Sequence, residues 1–256
     1  MEVLAVINQK GGVGKTTTVL NLGPALAAKK QRVLLIDLDP QANLSSCYKT
    51  VDNRASLDTS GWLMDPGRAS DAIQNVGDNL DLIKASRRLM HDLDDRLRNL
   101  SVGGDTRLRK ALASLRNQYD WVLLDCPPNL GKITVNALAA SSIYLVPMRP
   151  EFFSVHAFSA LDALAHGVKE ELNQYLHFLG ILFTQYNRAS RTRSHREVVE
   201  ELSGKYPTFN VTIRQSNPLA VSPSLQQDIF KVSPESAGAY DYQKLADEVL
   251  TKIEQA

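Results

Sequence analysis

Residues 8–18 read NQKGGVGKTTT and follow directly on the apolar run VLAVI at residues 3–7. Gly11, Gly12 and Gly14 let the backbone fold tightly and aim its amides at one point. Lys15, Thr16 and Thr17 then open a helical pattern that runs to about residue 29. A buried strand, a glycine-rich turn and a helix N-terminus in that order make a site for phosphate, because amides and helix dipole converge on it. A chance match to K-G-G-x-G-K-[ST] has a probability of roughly 10⁻⁷ per window at average residue usage. Lys15 is expected to reach the β- and γ-phosphates, the Thr16 hydroxyl to bind Mg²⁺, and Thr17 to sit near the α-phosphate. One feature departs from G-x-x-x-x-G-K-[ST]. Gln9 stands where the first glycine would be, and a second lysine, Lys10, precedes the glycines.

A phosphate loop of this kind constrains the rest of the chain to an α/β arrangement, and the apolar runs agree. Residues 3–7, 32–37, 80–84, 121–125, 143–148, 178–184 and 210–213 read as strands, most of them nearly continuous in Val, Ile and Leu. Strands buried on both faces have that composition. Helical patterns lie between them, at about 15–29, 86–99, 106–117, 132–140, 154–172, 194–203 and 235–253. Such alternation predicts a mostly parallel β-sheet flanked by helices on both faces. Pro24 should kink or shorten the first helix. Residues 45–79 and 214–234 read as loops and short helices. No linker composition interrupts residues 1–256, so one domain is expected.

Two further segments bring carboxylates to strand ends. LLIDLDPQ ends a strand with Asp37 and Asp39, and WVLLDCPP ends another with Asp125. Carboxylates there can hold Mg²⁺ directly or through water. Thr16, Asp39 and Asp125 are the candidate metal residues, whereas Asp37 reads equally well as a turn cap.

Composition narrows the rest. Net charge is +1, with 43% hydrophobic and 22% charged residues, so any nucleic-acid or membrane binding must come from a local patch. Cys47 and Cys126 form no CxxC pair, which argues against structural zinc and fits a reducing cytosol. The apolar start is too short for a signal peptide or a membrane span.

KGGVGKTT, LLIDLDPQ and LLDCPPNLGKITVNAL together resemble the ParA family of partition ATPases, within the deviant-Walker-A group of P-loop NTPases that also holds MinD and nitrogenase iron protein. VPMRPEFFSVHAF, TQYNRASRTRSHREVVEEL and SPESAGAYDYQKLADEVL extend the similarity along the chain in the family's order. The resemblance implies an ATPase that forms a sandwich dimer around ATP and Mg²⁺. Lys10 resembles the family's signature lysine, which leaves its own loop to reach phosphates held by the partner chain, as an arginine finger does. Lys10, Gly11, Gly12, Val13, Gly14, Lys15, Thr16, Thr17 and Glu151 are then the nucleotide-contacting positions, with Glu151 a candidate ribose contact across the dimer. Lys10, Lys15 and Asp39 are the catalytic candidates, with Asp39 positioning the attacking water. An unperturbed Asp, with a pKa of roughly 4, is a weak base at neutral pH, so slow turnover is expected until a partner acts. Residues 126–136 resemble a segment that senses the γ-phosphate, and Asn136 resembles a family position within it. The adenine is expected near Thr184 and the segment after VTI, where TIRQ replaces the family's frequent I-P-R-N.

Between residues 188 and 214 six basic residues face three acids, and the family binds double-stranded DNA non-specifically through residues near here. Arg188, Arg191, Arg193 and Arg214 are the DNA-binding candidates. The resemblance also implies a ParB-like activator and a cytoplasmic, nucleoid-associated location. Three rivals stand beside this reading. A MinD-like membrane-positioning ATPase would need a basic amphipathic C-terminal helix, but the last helix has a mixed, slightly acidic polar face. A redox protein like nitrogenase iron protein would need two suitable cysteines for a bridging cluster. A binding module without turnover has three well-placed aspartates against it.

Overall fold

The computed structural model describes residues 1–49, 55–90, 92–151, 154–187 and 193–255. Among them, β1 (Glu2–Val6), β2 (Val33–Asp37), β3 (Ile73–Gly77), β4 (Leu80–Ile83), β5 (Trp121–Asp125), β6 (Ile143–Met148) and β7 (His177–Phe183) form one sheet in the order β3-β4-β2-β5-β1-β6-β7. β3 runs antiparallel to β4, and every other neighbouring pair is parallel. The helices are α1 (Lys15–Ala27), α2 (Asn43–Ser46), α3 (Thr59–Met64), α4 (Arg87–Met90), α5 (Leu93–Arg98), α6 (Arg107–Leu112), α7 (Lys132–Ala140), α8 (Ser154–Glu171), α9 (Arg193–Lys205), α10 (Asn217–Val221), α11 (Ile229–Val232) and α12 (Ala237–Glu254).

The period-two geometry of a strand divides the core in two. β1 sends Val3 and Ala5, joined by Ile7 just beyond its end, into one hydrophobic cluster with residues of α5, α6, α7 and α8. It sends Leu4 and Val6 into the other, with residues of α1 and α12. The sheet is therefore covered on both faces, as the unbroken apolar strands require. Each fully buried Leu or Val in these clusters contributes about 1.5–3 kcal/mol relative to an exposed one.

Register places the chemistry. Asp37 pairs with Asp125 across β2 and β5, and Val6 pairs with Asp125 across β1 and β5. The carboxyl ends of the central strands thus meet where the loop after β1 begins.

Several elements differ from the sequence expectation. The helix expected over 86–99 is two short pieces, α4 and α5, and that over 106–117 ends as α6 and a 3₁₀ turn at Ala113–Leu115. Residues 210–213 make no regular strand; instead Thr208 and Ile213 form isolated bridges to Ile181 and Thr184. β3 lies inside the stretch read as loop, because its partly buried IQNVG carries little apolar signal. Pro24 sits within α1 without breaking it: α1 ends at Ala27, and Ala28 N–H still donates to the Pro24 carbonyl at 2.9 Å. One missing hydrogen bond is outweighed by the packing of a helix buried along most of its length.

Candidate nucleotide site

The loop after β1 turns on two left-handed glycines, Gly12 at φ 73° and Gly14 at φ 92°. A side chain is strained at either, which is why the turn needs glycine. Gly14 leads into α1, where Thr18 N–H closes the first turn on the Gly14 carbonyl at 2.8 Å. A cavity of about 420 Å³ opens over this turn, walled by Gly11, Lys15, Thr16, Asp39 and Pro128 among others. A second cavity of about 170 Å³ continues from Gly14 and Thr17 toward Thr184, Gln215 and Tyr242. Thr184 ties the two together by donating its hydroxyl to the Val13 carbonyl at 2.7 Å. This second cavity lies between Thr184 and the segment after residue 213, where the adenine is expected.

The two lysines are placed differently. Lys15 is 7% exposed, and its Nζ donates to the Lys10 carbonyl at 3.2 Å. Burial lowers its pKa, while Asp125, Cys126 and Asp39 act the other way. Lys10 stands outside the cavity wall. Its backbone N–H is held by the Asn8 side-chain oxygen at 2.9 Å, and Asn8 is itself anchored to the Pro147 carbonyl at 2.8 Å. The Lys10 ammonium forms an ion pair with Glu151. Arg149 occupies the other Glu151 oxygen at 3.0 Å. The Lys10 hydrogen bond, then Arg149 and His195, hold the Glu151 carboxyl below its ordinary pKa. Within one chain Glu151 is therefore the counter-ion of two cations.

The aspartates form a buried acidic group. Asp37 accepts from the Ser45 hydroxyl at 2.6 Å, the Ser45 amide at 2.8 Å and the Asp39 amide at 3.0 Å. Burial still pushes its pKa up to about 6. Asp39 lies at the cavity wall and accepts the Gln41 amide at 2.9 Å. The Asp125 carboxyl is fully buried, with the Thr16 hydroxyl beside it and no closer donor among the described residues. Burial and the Asp37 charge raise its pKa well above the carboxylate range, against the Thr16 hydroxyl and the Lys15 ammonium. A buried carboxylate so poorly supplied with donors is costly unless a cation joins it. Oxygen-only donors of this kind suit a hard divalent ion that takes its remaining ligands from phosphate and water.

Asn136, which resembles a family position, is not among the residues that line the phosphate cavity. It is buried between α6 and α7, accepting from Leu108 N–H at 3.1 Å and donating to the carbonyls of Gly104 and Lys132 at 2.6 and 3.0 Å. Both thiols are buried, and burial pushes Cys47 up to about 11 and Cys126 higher still. Of the arginine candidates, Arg188 and Arg191 lie outside the described residues, and Arg193 is the first residue of α9. Arg214 forks onto Asp241, with Nη2 at 2.6 Å from Oδ1 and Nε at 3.0 Å from Oδ2, and also donates to the Ala237 carbonyl at 3.2 Å. Asn8, Ser45 and Tyr242 were not legible as site residues, because what they touch is set by tertiary placement rather than by any local motif.

Residues 1–178 match a protein family described as an AAA domain. The chain is 37% identical over 255 residues to the chromosome-partitioning ATPase Soj of Thermus thermophilus, covering 99% of this chain and 97% of that protein. It is 34% identical over 261 residues to the chromosome partitioning protein ParA of Caulobacter vibrioides, covering 98% and 95%. Among solved structures it superposes on cobyrinic acid a,c-diamide synthase from Mycobacterium smegmatis with bound ATP analog and magnesium, at TM-score 0.84 and 31% identity over 99% of this chain and 96% of that one.

Proposed function

Since the chain belongs to the Soj/ParA family of partition ATPases, we propose that it is an ATP-operated switch that positions cargo on DNA. The fold alone does not choose the reaction, because the same architecture carries a diamide synthase. The choice rests on the near full-length relatives and on the two lysines.

ATP enters with its triphosphate on the amides of residues 11–14 and on Lys15, and with its base in the cavity beside Tyr242. Thr16, Asp39 and Asp125 hold Mg²⁺, which neutralises the β- and γ-phosphate oxygens when bound. Water attacks the γ-phosphorus in line. The bond to the β–γ bridging oxygen breaks, ADP leaves, and the proton of the water ends on the released phosphate. Asp39 positions that water from the cavity wall. A second chain closes over the first, and each Lys10 reaches the phosphates of its neighbour. Glu151 exchanges its Lys10 contact for the ribose across the interface.

The placement of the lysines carries this reading. Lys15 already fills the phosphate role from inside, buried against its own loop. Lys10 waits at the mouth, a third exposed and tethered to Glu151. A cation beside a completed site serves a second site brought against it. Differential binding of ATP to the dimer then drives association.

DNA binding is assigned to the arginines of residues 188–193 on non-sequence-specific phosphate contacts. Arg214 is a weaker contributor, since Asp241 engages its guanidinium. The membrane-positioning alternative finds no free apolar face on α12, where Tyr242, Leu245, Ala246 and Val249 are buried. Among the described residues no helix is long and apolar enough to cross a membrane. A ParB-like activator stimulates hydrolysis, and the protein acts in the cytoplasm on the nucleoid.

Sedimentation tests the switch. Wild type should run as a dimer with ATP and Mg²⁺ and as a monomer with ADP, and Lys10→Ala as a monomer with both. A dimer formed equally by all of these overturns the reading.

A further inference from the structure

The short helices α4 and α5 stand between the two loops that border the phosphate cavity. Arg87, the first residue of α4, donates its Nε–H to the Gln41 carbonyl at 2.7 Å. The amide of the same Gln41 donates to Asp39 Oδ1 at 2.9 Å. At the other end, Asp94 in the first turn of α5 accepts the N–H groups of Lys132 at 3.3 Å and Ile133 at 2.9 Å. These are the first two residues of α7, whose own N-cap, Gly131, offers no side-chain oxygen. The amides of a helix start have no intrahelical acceptors, so a carboxylate there completes them and meets the helix dipole. Asp94 fills the space closely: a Cβ on Gly131 would lie 2.3 Å from its Oδ2. Lys132 is held further by Asp105 at 2.5 Å. The segment upstream of α7 begins at Asp125 and carries Pro128, which lines the cavity.

Arg87 on α4 thus engages the Asp39 loop and Asp94 on α5 engages the start of α7, and the two helices bury Met90 and Leu93 in one core cluster. Both outer links end on backbone groups, so neither can slide as a pair of solvated side chains would. Packed elements tied at both ends by hydrogen bonds are the kind of network that carries coupling between sites. We propose that Arg87 and Asp94 are positioning residues of the nucleotide site, coupling the Asp39 loop to the 126–132 segment so that the two sense the γ-phosphate as one unit. The inference rests on the functional reading above and deepens it, naming what separates a nucleoside triphosphate from a diphosphate in this chain.

The test is calorimetric titration of a non-hydrolysable ATP analogue and of ADP, each with Mg²⁺, into wild type, Asp94→Ala, Asp94→Asn, Arg87→Ala and the Arg87→Ala/Asp94→Ala pair. Asp94→Ala should weaken the analogue about fivefold, the equivalent of about 1 kcal/mol for a lost helix cap, and leave ADP unchanged. Asp94→Asn keeps an accepting oxygen and should restore most of the loss. The two alanine effects should be less than additive, since either cut breaks the same linkage. Equal losses for both nucleotides, or none, would assign Asp94 a purely structural role and overturn the inference. Should Asp94→Ala fail to fold, Arg87→Ala decides by the same criterion: a selective loss of the analogue supports the coupling, and unchanged selectivity ends it. A wild-type chain that binds neither nucleotide would instead defeat the functional reading itself, and this inference with it.

Discussion

Asp125 holds the sharpest opposition between stability and function at the residue scale. Its carboxylate is buried, has only the Thr16 hydroxyl beside it and feels the charge of Asp37. Folding therefore favours its neutral form. A carboxyl whose pKa is raised on folding stabilises the fold below its unfolded value of about 4, and that contribution is lost as pH rises through the folded value. Asp37, pushed up to about 6, acts in the same direction between about pH 4 and 6. Asp125→Asn keeps the shape and removes the charge. The nucleotide-free variant should melt above wild type, with the gap widening from about pH 5 to pH 8 in thermal scans. A gap independent of pH would contradict this. The same variant should lose the Mg²⁺-dependent part of its ATP affinity, since the charge that strains the empty fold is the one a cation needs. The loop, Asp39 and Asp125 were legible in the sequence because each sits in a contiguous motif. Ser45, Asn8 and Asp94 were not, since their partners include Ala85, Pro147 and Lys132, 40, 139 and 38 residues away, and such contacts leave no local pattern.

At the scale of elements, α6 and α7 are joined through Asn136. Asn136 makes that joint with three hydrogen bonds, two of them reaching outside its own helix to Leu108 and Gly104. Asn136→Ala would leave buried backbone groups unpaired at a cost of about 2 kcal/mol, which for a chain of this length lowers the melting temperature by roughly 4–8 °C. ADP affinity of the folded variant should hold. Unchanged melting would show that the joint is dispensable. The long central strands and the helices α7, α8 and α12 were readable because burial on both faces, or an apolar stripe, leaves a strong pattern. The antiparallel edge strand β3 has a polar, half-buried sequence, and the stretch over 86–99 shows helical periodicity that tertiary contacts divide into α4 and α5. The apolar alternation at 210–213 yields one isolated bridge, Ile213 to Thr184, at the sheet's edge rather than a paired strand.

At the scale of the whole molecule, a chain of net charge +1 can bind DNA only through a local surplus, which the proposed function assigns to the arginines of residues 188–193. Arg191→Ala with Arg193→Ala should weaken DNA binding in a filter or anisotropy assay while ATP binding stays intact. If a dimer neutralises about four phosphates, the wild-type log–log salt slope is near −3.6, and the double variant should flatten it. Unchanged DNA affinity would move the interface elsewhere. The central claim, however, is that Lys10 acts on its neighbour's nucleotide, and mixing two inactive chains tests it most directly. Lys10→Ala keeps its own phosphate loop but lends no cation; Lys15→Ala loses its own site but keeps Lys10 to lend. If Lys10 works across the interface, the mixture should release phosphate well above the sum of the two variants measured alone. A mixture no more active than that sum would mean that Lys10 serves only its own chain.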